Sequence, residues 1–270
     1  MTDGIFRLDN QVAVVTGACG KLGPAWAEAL LAAGARVAAL ELAGAPESAA
    51  YKTVADRAGD RLRRFDCDVT SRDSIYQAAD ALVRQMGEPA ILVNNAGVDQ
   101  SPDSGGNRSP IDAWPPDEFR QMVEVNLLGT FQVTQVIGSR MAARGSGSII
   151  NIGSLYASVS PDQRLYDHLH GDLPFLKSPA YGASKAAVVN MTKYFATLWG
   201  SSGVRVNTLS PGGVLGGQDE QFRTKYCARV PLGRMAQADD LKGPLLFLAS
   251  QASSYVTGHE LRVDGGFTAW

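Results

Sequence analysis

Short apolar runs rich in β-branched residues alternate with longer Ala- and Leu-rich segments along almost the whole chain. QVAVVTGA is followed by PAWAEALLAAGA and then by RVAALEL, and the pattern continues through AILVNNAG and GSIINIGS to VRVNTLSPGGV. Strands that alternate with helices in this way form a parallel sheet that is covered by helices on both faces. Because no repeat or low-complexity linker interrupts the pattern, the sequence predicts a single α/β domain over residues 1–270.

Composition narrows the classes of function. The 270 residues are 45% hydrophobic and 19% charged, which is sufficient for a large buried core. A formal net charge of -2 leaves no excess of Lys and Arg, so we expect neither nucleic acid nor a membrane as a partner. Three widely spaced cysteines, an N-terminus unlike a signal peptide and the lack of an 18-residue apolar run favour a cytoplasmic protein. The three histidines do not pair with cysteines at zinc spacing, so we expect no metal site.

The segment TGACGKLG, residues 16–23, joins the first predicted strand to the first predicted helix. Its glycines allow the backbone to turn sharply and to approach a pyrophosphate, while the helix N-terminus offers N–H groups and the positive end of a dipole. Glu41 ends the next strand, where a carboxylate can accept hydrogen bonds from an adenosine ribose. A tight turn with an incidental surface glutamate is the alternative interpretation.

The segment YGASK places Tyr181 four residues before Lys185. On a helix these two positions share one face, so the phenol and the ammonium can approach the same point. An exposed Tyr/Lys pair on an amphipathic helix is the alternative.

Six motifs occur in the order and at nearly the spacing of the short-chain dehydrogenase/reductase family, which the chain therefore resembles over almost its whole length. They are TGACGKLG, NNAG at 94–97, Asn126 in EVNLLGTF, Ser154 in NIGS, YGASK, and SPGGV at 210–214. The resemblance implies a Rossmann-type doubly wound parallel sheet, a nicotinamide cofactor and hydride transfer to or from a carbonyl carbon. It makes Tyr181 the general acid/base, Lys185 its activator, Ser154 the anchor of the carbonyl and Asn126 a support of the proton relay.

These roles fit the chemistry of the residue types. A free tyrosine has a pKa of about 10, so we expect Lys185 to favour the phenolate and to lower the pKa of Tyr181. The resemblance also implies that Lys185 bonds the nicotinamide ribose, and that Ser154 donates to the oxygen on which negative charge develops.

Cofactor contacts follow from the same resemblance. The residues that it assigns are Gly17, Gly20, Lys21, Leu22, Gly23, Glu41, Asp68, Val69, Asn95, Ala96, Gly97, Tyr181, Lys185, Pro211, Gly212 and Val214. Glu41 repels a 2′-phosphate, so we expect NAD, whereas Lys21 favours NADP only weakly. Two positions depart from the family pattern: Lys21 stands where glycine is usual, and Gly216 lies near the usual place of a threonine that holds the nicotinamide amide.

Ser154 and Tyr181 are separated by 26 residues, considerably more than is usual in the family. The resulting insertion, at about 157–178, is expected to form a substrate loop. Its polar residues are Asp162, Gln163, Arg164, Tyr166, Asp167, His168 and His170. They favour a polar small-molecule substrate, a sugar or a sugar derivative, and Arg164 is a candidate clamp for an anionic group. A surface insertion without function is the alternative.

Weaker similarities point in the same direction, because SLYASVSPDQRLY and the tail resemble family members of surface-sugar biosynthesis and of gluconate or polyol oxidation. Two other functions stay open: an NADPH-dependent ketoreductase for a less polar ketone, and a nucleotide-binding regulator without catalysis. Ser154, Tyr181 and Lys185 argue against the regulator, and Glu41 argues against the ketoreductase. Apolar residues on more than one face of the Asn126 and Tyr181 helices favour a homotetramer, as in the resembled family, with a dimer as second choice.

Overall fold

The computed structural model describes residues 4–100, 109–169 and 173–270. In these ranges the strands are β1 (Val12–Thr16), β2 (Arg36–Glu41), β3 (Leu62–Asp66), β4 (Pro89–Asn94), β5 (Gly147–Ile152), β6 (Val204–Pro211) and β7 (Glu260–Val263). They form one sheet in the order β3-β2-β1-β4-β5-β6-β7, and every neighbouring pair is parallel. The predicted doubly wound parallel sheet is therefore confirmed.

Helices follow the strands in the order that the sequence pattern predicts. They are α1 (Gly23–Ala32), α2 (Ala49–Ala58), α3 (Arg72–Met86), α4 (Pro116–Val123), α5 (Thr130–Arg144), α6 (Pro179–Trp199), α7 (Glu220–Cys227) and α8 (Lys242–Ala249). Two buried apolar clusters separate the helices from the sheet, one containing residues of α1, α2 and α8 and the other residues of α3, α5 and α6. The five inner strands β1, β2, β4, β5 and β6 are almost entirely buried, which explains why they read as continuous apolar runs.

Strand order reverses between β1 and β4, because β1 pairs with β2 on one side and with β4 on the other. At such a point the following connections diverge to opposite faces of the sheet. They leave a crevice outside the carboxyl ends of the strands, where open α/β sheets bind their ligands. The topology therefore places a binding site at the ends of β1, β4 and β5.

The helical segment that contains Asn126 is not regular along its whole length. Between α4 and α5 the backbone takes a π-helical turn over Glu124–Gly129, which contains Asn126. Gly129 allows the close approach of this turn to the end of β3, because a Cβ there would lie 2.8 Å from Cγ2 of Val69. The extra residue in such a turn re-aims a side chain, and turns of this kind are frequent at functional sites.

Within the ranges described above, no helix is long and apolar enough to cross a bilayer. The same ranges hold no group of three or more His, Cys, Asp or Glu residues that could bind a metal ion. Cys19, Cys67 and Cys227 are free thiols.

Candidate active site

Most residues proposed from the sequence lie directly after the carboxyl end of a strand. The phosphate-loop residues follow β1, Glu41 ends β2, Asp68 and Val69 follow β3, and NNAG spans the end of β4. Ser154 follows β5, and Pro211 ends β6. Tyr181 and Lys185 lie in the first two turns of α6, which runs alongside β6. The fold thus brings the expected residues to one edge of the sheet.

The loop between β1 and α1 has the shape that a pyrophosphate requires. Gly17 has a φ of +61°, and a Cβ there would lie 2.9 Å from Cα of Ala96. A Cβ at Gly23 would lie 2.4 Å from the carbonyl oxygen of Ala18, so the loop can close onto α1 only with glycine. Leu22 gives α1 no side-chain cap, and its first turn has no acidic residue. An uncapped helix N-terminus behind a glycine turn fits the phosphates of a dinucleotide.

Asn95 braces this loop against β4. Its Nδ2 donates to the carbonyl oxygens of Thr16 (3.0 Å) and Gly17 (2.9 Å), and its Oδ1 accepts from Nε1 of Trp26 at 2.8 Å. The hydroxyl of Thr16 accepts from the backbone N–H groups of Asn95 and Ala96. The NNAG motif therefore fixes the phosphate loop, and Gly97 packs closely against the catalytic residues, because a Cβ there would lie 3.1 Å from Oδ1 of Asn126 and 3.6 Å from Nζ of Lys185.

Glu41 is held in one orientation at the end of β2. Its Oε2 accepts from the backbone N–H of Cys19 at 2.9 Å, and its Oε1 accepts from that of Leu42 at 3.1 Å. Arg64 supports the next turn by donating to the carbonyl oxygens of Leu42 and Ala45, each at 3.0 Å. The carboxylate thus cannot easily swing away from a nucleotide bound at this edge.

At the end of β3, Asp68 shapes a turn. Its Oδ1 accepts from the backbone N–H of Thr70 at 2.9 Å and from the Thr70 hydroxyl at 2.7 Å. Val69 packs against the π-helical turn at Gly129. Their contact with adenine stays a prediction.

Three of the four catalytic candidates surround one point. The Ser154 hydroxyl, whose oxygen accepts from the backbone N–H of Tyr156 at 3.2 Å, lies close enough to the Tyr181 phenol to lower its pKa. Nζ of Lys185 donates to the carbonyl oxygen of Ile152 at 2.8 Å and lies 5.9 Å from the centroid of the Tyr181 ring. The ring of Tyr156 packs edge-on against Tyr181, with 6.5 Å between centroids.

Burial dominates the protonation equilibria here. It raises the pKa of Tyr181, and the negative charge of Asp99 raises it further, whereas the hydrogen bond with Ser154 lowers it. Burial lowers the pKa of Lys185 to about 8, and Asp99 opposes that change. The expected lowering of the Tyr181 pKa by Lys185 is thus not seen, because removal from water penalises both the phenolate and the ammonium.

Asn126 is completely buried and satisfied by neighbours on both sides. Its Oδ1 accepts from the backbone N–H of Val98 at 2.7 Å. Its Nδ2 donates to the Val98 carbonyl oxygen at 2.9 Å and to the Ser184 hydroxyl at 3.2 Å. The side chain therefore ties the segment after β4 to α6, beside Lys185.

Sequence reasoning missed an ion pair next to Tyr181. Nζ of Lys177 donates to Oδ2 of Asp99 and to the carbonyl oxygen of Gln100, each at 2.6 Å. The same ammonium lies 5.5 Å from the centroid of the Tyr181 ring. Oε1 of Gln100 accepts from the backbone N–H of Ser178 at 2.8 Å, just before α6. The position of Asp99, two residues after NNAG, was the available signal.

The insertion at 157–178 is built differently from the expected polar loop. Its described part buries Leu165, Tyr166 and Phe175 in an apolar cluster with α7 residues Phe222 and Tyr226. The described residues of the insertion therefore share a small apolar core with α7.

The polar groups of the insertion face α7 as well. Asp162 pairs with Arg229 at 2.5 Å, Asp167 pairs with Lys225, and His168 lies 2.9 Å from the carboxylate of Asp219. Arg164 is 85% exposed and donates to Asp162. The role of Arg164 as a clamp for the substrate stays a prediction. His170 lies outside the described residues.

At the end of β6, the backbone of SPGGV passes close to the residue that follows β7. A Cβ at Gly212 would lie 2.7 Å from Cα of Asp264. Val214 forms an isolated bridge with Ala236. Further on, a Cβ at Gly216 would lie 3.1 Å from both Cε and Nζ of Lys21. The phosphate loop and the segment after β6 therefore meet through the lysine side chain.

Comparison with known proteins identifies this arrangement. Residues 17–268 match the family model described as enoyl-(acyl carrier protein) reductase. The chain belongs to the short-chain dehydrogenase/reductase family. It is accordingly an oxidoreductase that acts on CH–OH groups with a nicotinamide cofactor.

Relatives with names and structures extend the comparison. The chain is 37% identical to D-threitol dehydrogenase of Mycolicibacterium smegmatis, over 97% of this chain and 95% of that protein. It is similar to the crystal structure of a gluconate 5-dehydrogenase from Burkholderia cenocepacia in complex with NADP and tartrate (33% identity, TM-score 0.83, covering 99% and 98% of the two chains). It is also similar to a short-chain dehydrogenase from Leptospira borgpetersenii with bound NAD+ (33% identity, TM-score 0.84, covering 97% and 94%).

Proposed function

We propose that this protein is an NAD-dependent dehydrogenase that interconverts a secondary hydroxyl and a keto group on a polyol or another sugar derivative. The observation that carries the proposal is the convergence of Ser154, Tyr181 and Lys185 at the edge of the sheet where the glycine turn can hold a dinucleotide. We further propose that the protein is cytoplasmic, which its three free cysteines support.

When bound, the nicotinamide supplies the hydride acceptor or donor. The residues Gly17, Gly20, Lys21, Leu22 and Gly23 would lie against the phosphates, and Glu41 would accept from the adenosine ribose. Asp68 and Val69 would lie beside the adenine. Asn95, Ala96, Gly97, Pro211, Gly212 and Val214 would line the remaining contact surface. Lys185 would donate to the nicotinamide ribose.

In the oxidation direction, Tyr181 accepts the hydroxyl proton of the substrate, and in reduction the phenol returns a proton to the carbonyl oxygen. Ser154 can donate to the same oxygen while negative charge develops there, because its hydroxyl lies beside the Tyr181 side chain. Lys185, as an ammonium, stabilises the phenolate. We assign to Asn126 the support of the proton relay, since it holds Val98 and Ser184 beside Lys185.

The preference for NAD rests on Glu41. Two backbone N–H groups hold its carboxylate at the end of β2, where the ribose 2′ position would lie, and a negative charge there repels a 2′-phosphate. Similar structures do not decide the matter, because one contains NADP and another NAD+.

The substrate class rests on two kinds of support. The names of the relatives above refer to threitol and to gluconate. The space beside Tyr181 is bordered by Asp99 and Ser154, whose polar atoms can bond hydroxyl groups.

The decisive experiment compares wild type with Tyr181→Phe on a panel of alditols, ketoses and sugar acids with both cofactors. Phenylalanine preserves the ring and removes the acid/base, so kcat is expected to fall by about 100-fold or more while the dissociation constant of NADH stays within about twofold. Retention of most of the wild-type kcat by Tyr181→Phe would refute the catalytic assignment.

We also propose a homotetramer. Several large apolar side chains on α4, α6 and the π-helical turn are exposed, namely Phe119, Leu128, Tyr194 and Leu198. Leu198 and Tyr194 lie on α6, the helix that carries the catalytic pair. Apolar surface that continues along neighbouring helices is typical of an interface between subunits.

A further inference from the structure

The ion pair of Asp99 and Lys177, which lies beside the Tyr181 ring, has members of unequal exposure. Lys177 contributes a side chain that is 5% exposed, whereas that of Asp99 is 44% exposed. The Lys177 ammonium already donates two hydrogen bonds, one to the Asp99 carboxylate and one to the carbonyl oxygen of Gln100. The carboxylate is therefore the member of the pair that a bound substrate can contact.

Asp99 is fixed in place and close to the reacting groups. Its Oδ1 accepts from the backbone N–H of Gln100 at 2.8 Å, and its Oδ2 is held by Lys177. Its negative charge acts on both Tyr181 and Lys185. Such a carboxylate is an oriented acceptor for hydroxyl groups on the carbons next to the reacting one.

Three cations of the insertion, of α7 and of the segment after α7 are paired with carboxylates other than Asp99. Arg164 and Arg229 pair with Asp162, and Lys225 pairs with Asp167. Lys177 already has a carboxylate partner. A sugar acid that entered beside Tyr181 would therefore meet the exposed carboxylate of Asp99 rather than the buried ammonium of Lys177.

We propose that Asp99 is a specificity-determining residue that accepts hydrogen bonds from substrate hydroxyls and makes the enzyme select neutral polyols and their ketoses over the corresponding sugar acids. The proposal rests on the proposed function and adds the substrate class. Lys177 is the positioning residue of the pair, because it holds Asp99 and offsets its charge.

The test uses substrates matched in all but charge. The kcat/KM for oxidation is measured for threitol and threonate, xylitol and xylonate, and galactitol and galactonate. Wild type is expected to favour the alditol of its best pair by at least about tenfold, the value of a charge-assisted hydrogen bond together with the repulsion of a carboxylate. An equal or greater kcat/KM for the sugar acid would overturn the inference.

Two single variants should move this preference in opposite directions. Asp99→Asn leaves the Lys177 ammonium uncompensated, so the alditol-to-aldonate ratio of kcat/KM should fall by about tenfold. Lys177→Met leaves the Asp99 carboxylate uncompensated, so the ratio should rise. A merely structural pair would lower kcat/KM of both substrates equally and leave the ratio unchanged in both variants, and that result would contradict the proposal.

A double variant guards against misfolding from an unpaired charge. Asp99→Asn/Lys177→Met removes both charges, and it should fold and lose most of the alditol preference. Tyr181→Phe separates this inference from the proposed function. If that variant is inactive while wild type prefers aldonates, the enzyme assignment stands and the role of Asp99 fails. If wild type oxidises none of the six compounds, or if Tyr181→Phe keeps the wild-type rate, the proposed function itself fails.

Discussion

Lys185 should make the protein less stable than it would be with an apolar residue at this position. The pKa of the ammonium falls from the ordinary 10.5 to about 8 because the group is buried, with a side chain only 5% exposed. The difference between the two pKa values corresponds to a cost of about 3 kcal/mol in the folded state at pH 7. Lys185→Met removes that cost and keeps most of the packing volume.

Part of this gain in stability is offset, because the substitution also removes a hydrogen bond. Nζ of Lys185 donates to the carbonyl oxygen of Ile152, which would lose its side-chain donor in the methionine variant. An unmade hydrogen bond of this kind costs about 1 kcal/mol. We therefore expect Lys185→Met to raise the free energy of unfolding by about 2 kcal/mol at pH 7, with loss of activity.

The pH dependence gives the sharper check. Below pH 8, Lys185 is protonated in both the folded and the unfolded protein, so the folded wild type is destabilised by the full cost of burying the ammonium. Between pH 8 and 10.5 the unfolded chain binds more protons than the folded one, and the stability of wild type therefore rises with pH. The advantage of Lys185→Met should shrink over this interval and change sign before pH 10.5, because the lost hydrogen bond to Ile152 then outweighs the remaining cost of the buried ammonium.

Urea unfolding at one fixed protein concentration, from pH 6 to pH 10, measures the difference. Lys193→Met is the matched control, because Lys193 is exposed on the same helix and its replacement should change stability by less than about 0.5 kcal/mol at each pH. The reasoning is refuted if Lys185→Met is less stable than wild type at pH 7, or if the difference between them does not depend on pH.

Two further predictions concern the cofactor and the assembly. Wild type should bind NADH at least about tenfold more tightly than NADPH, and Glu41→Gln, which keeps an acceptor for the Cys19 N–H, should narrow that gap in fluorescence titrations; tighter binding of NADPH by wild type would overturn the preference. Light scattering at micromolar concentration should give the mass of four chains for wild type and a smaller species for Leu198→Glu, which places a charge on the exposed apolar face of α6; a stable wild-type monomer would exclude the tetramer.

The sheet was predictable because its strands are determined locally. Val12, Val14 and Val15 belong to a central parallel strand that is buried on both faces, so they appear as an apolar run in the sequence. Tyr181 and Lys185 were equally accessible to sequence reasoning, since helical spacing places them on one face. Features of this kind depend on a few neighbouring residues.

The electrostatics of the site depend on contacts between distant parts of the chain. Lys177 lies 78 positions from its partner Asp99, and nothing in the neighbouring residues shows that its ammonium is buried. The polar residues of the insertion suggested contacts with substrate, but Asp162 pairs with Arg229, 67 positions away. The π-helical turn at Asn126 depends on the approach of Val69 to Gly129. Neither the composition of the chain nor the spacing of its apolar residues indicates which distant side chains pair.

Lys21 and Gly216, the two positions that depart from the family pattern, lie far apart in the sequence but meet in the structure. Cε and Nζ of the lysine lie 3.1 Å from the place of a Cβ at position 216, so a larger residue there would displace the amine from its position across the phosphate loop. Gln218 holds the turn around Gly216 by accepting from its N–H at 2.7 Å and donating to the Val214 carbonyl oxygen at 2.9 Å.

If the amine contributes to pyrophosphate binding, Lys21→Ala and Gly216→Thr should each weaken NADH binding by about tenfold, because each removes the same cation from the same place. The double variant should bind no more weakly than either single one, which corresponds to a coupling free energy of about 1 kcal/mol in a double-mutant cycle followed by NADH titration at low salt. Additive losses would mean that the two residues act independently, and that their proximity has no consequence for the cofactor.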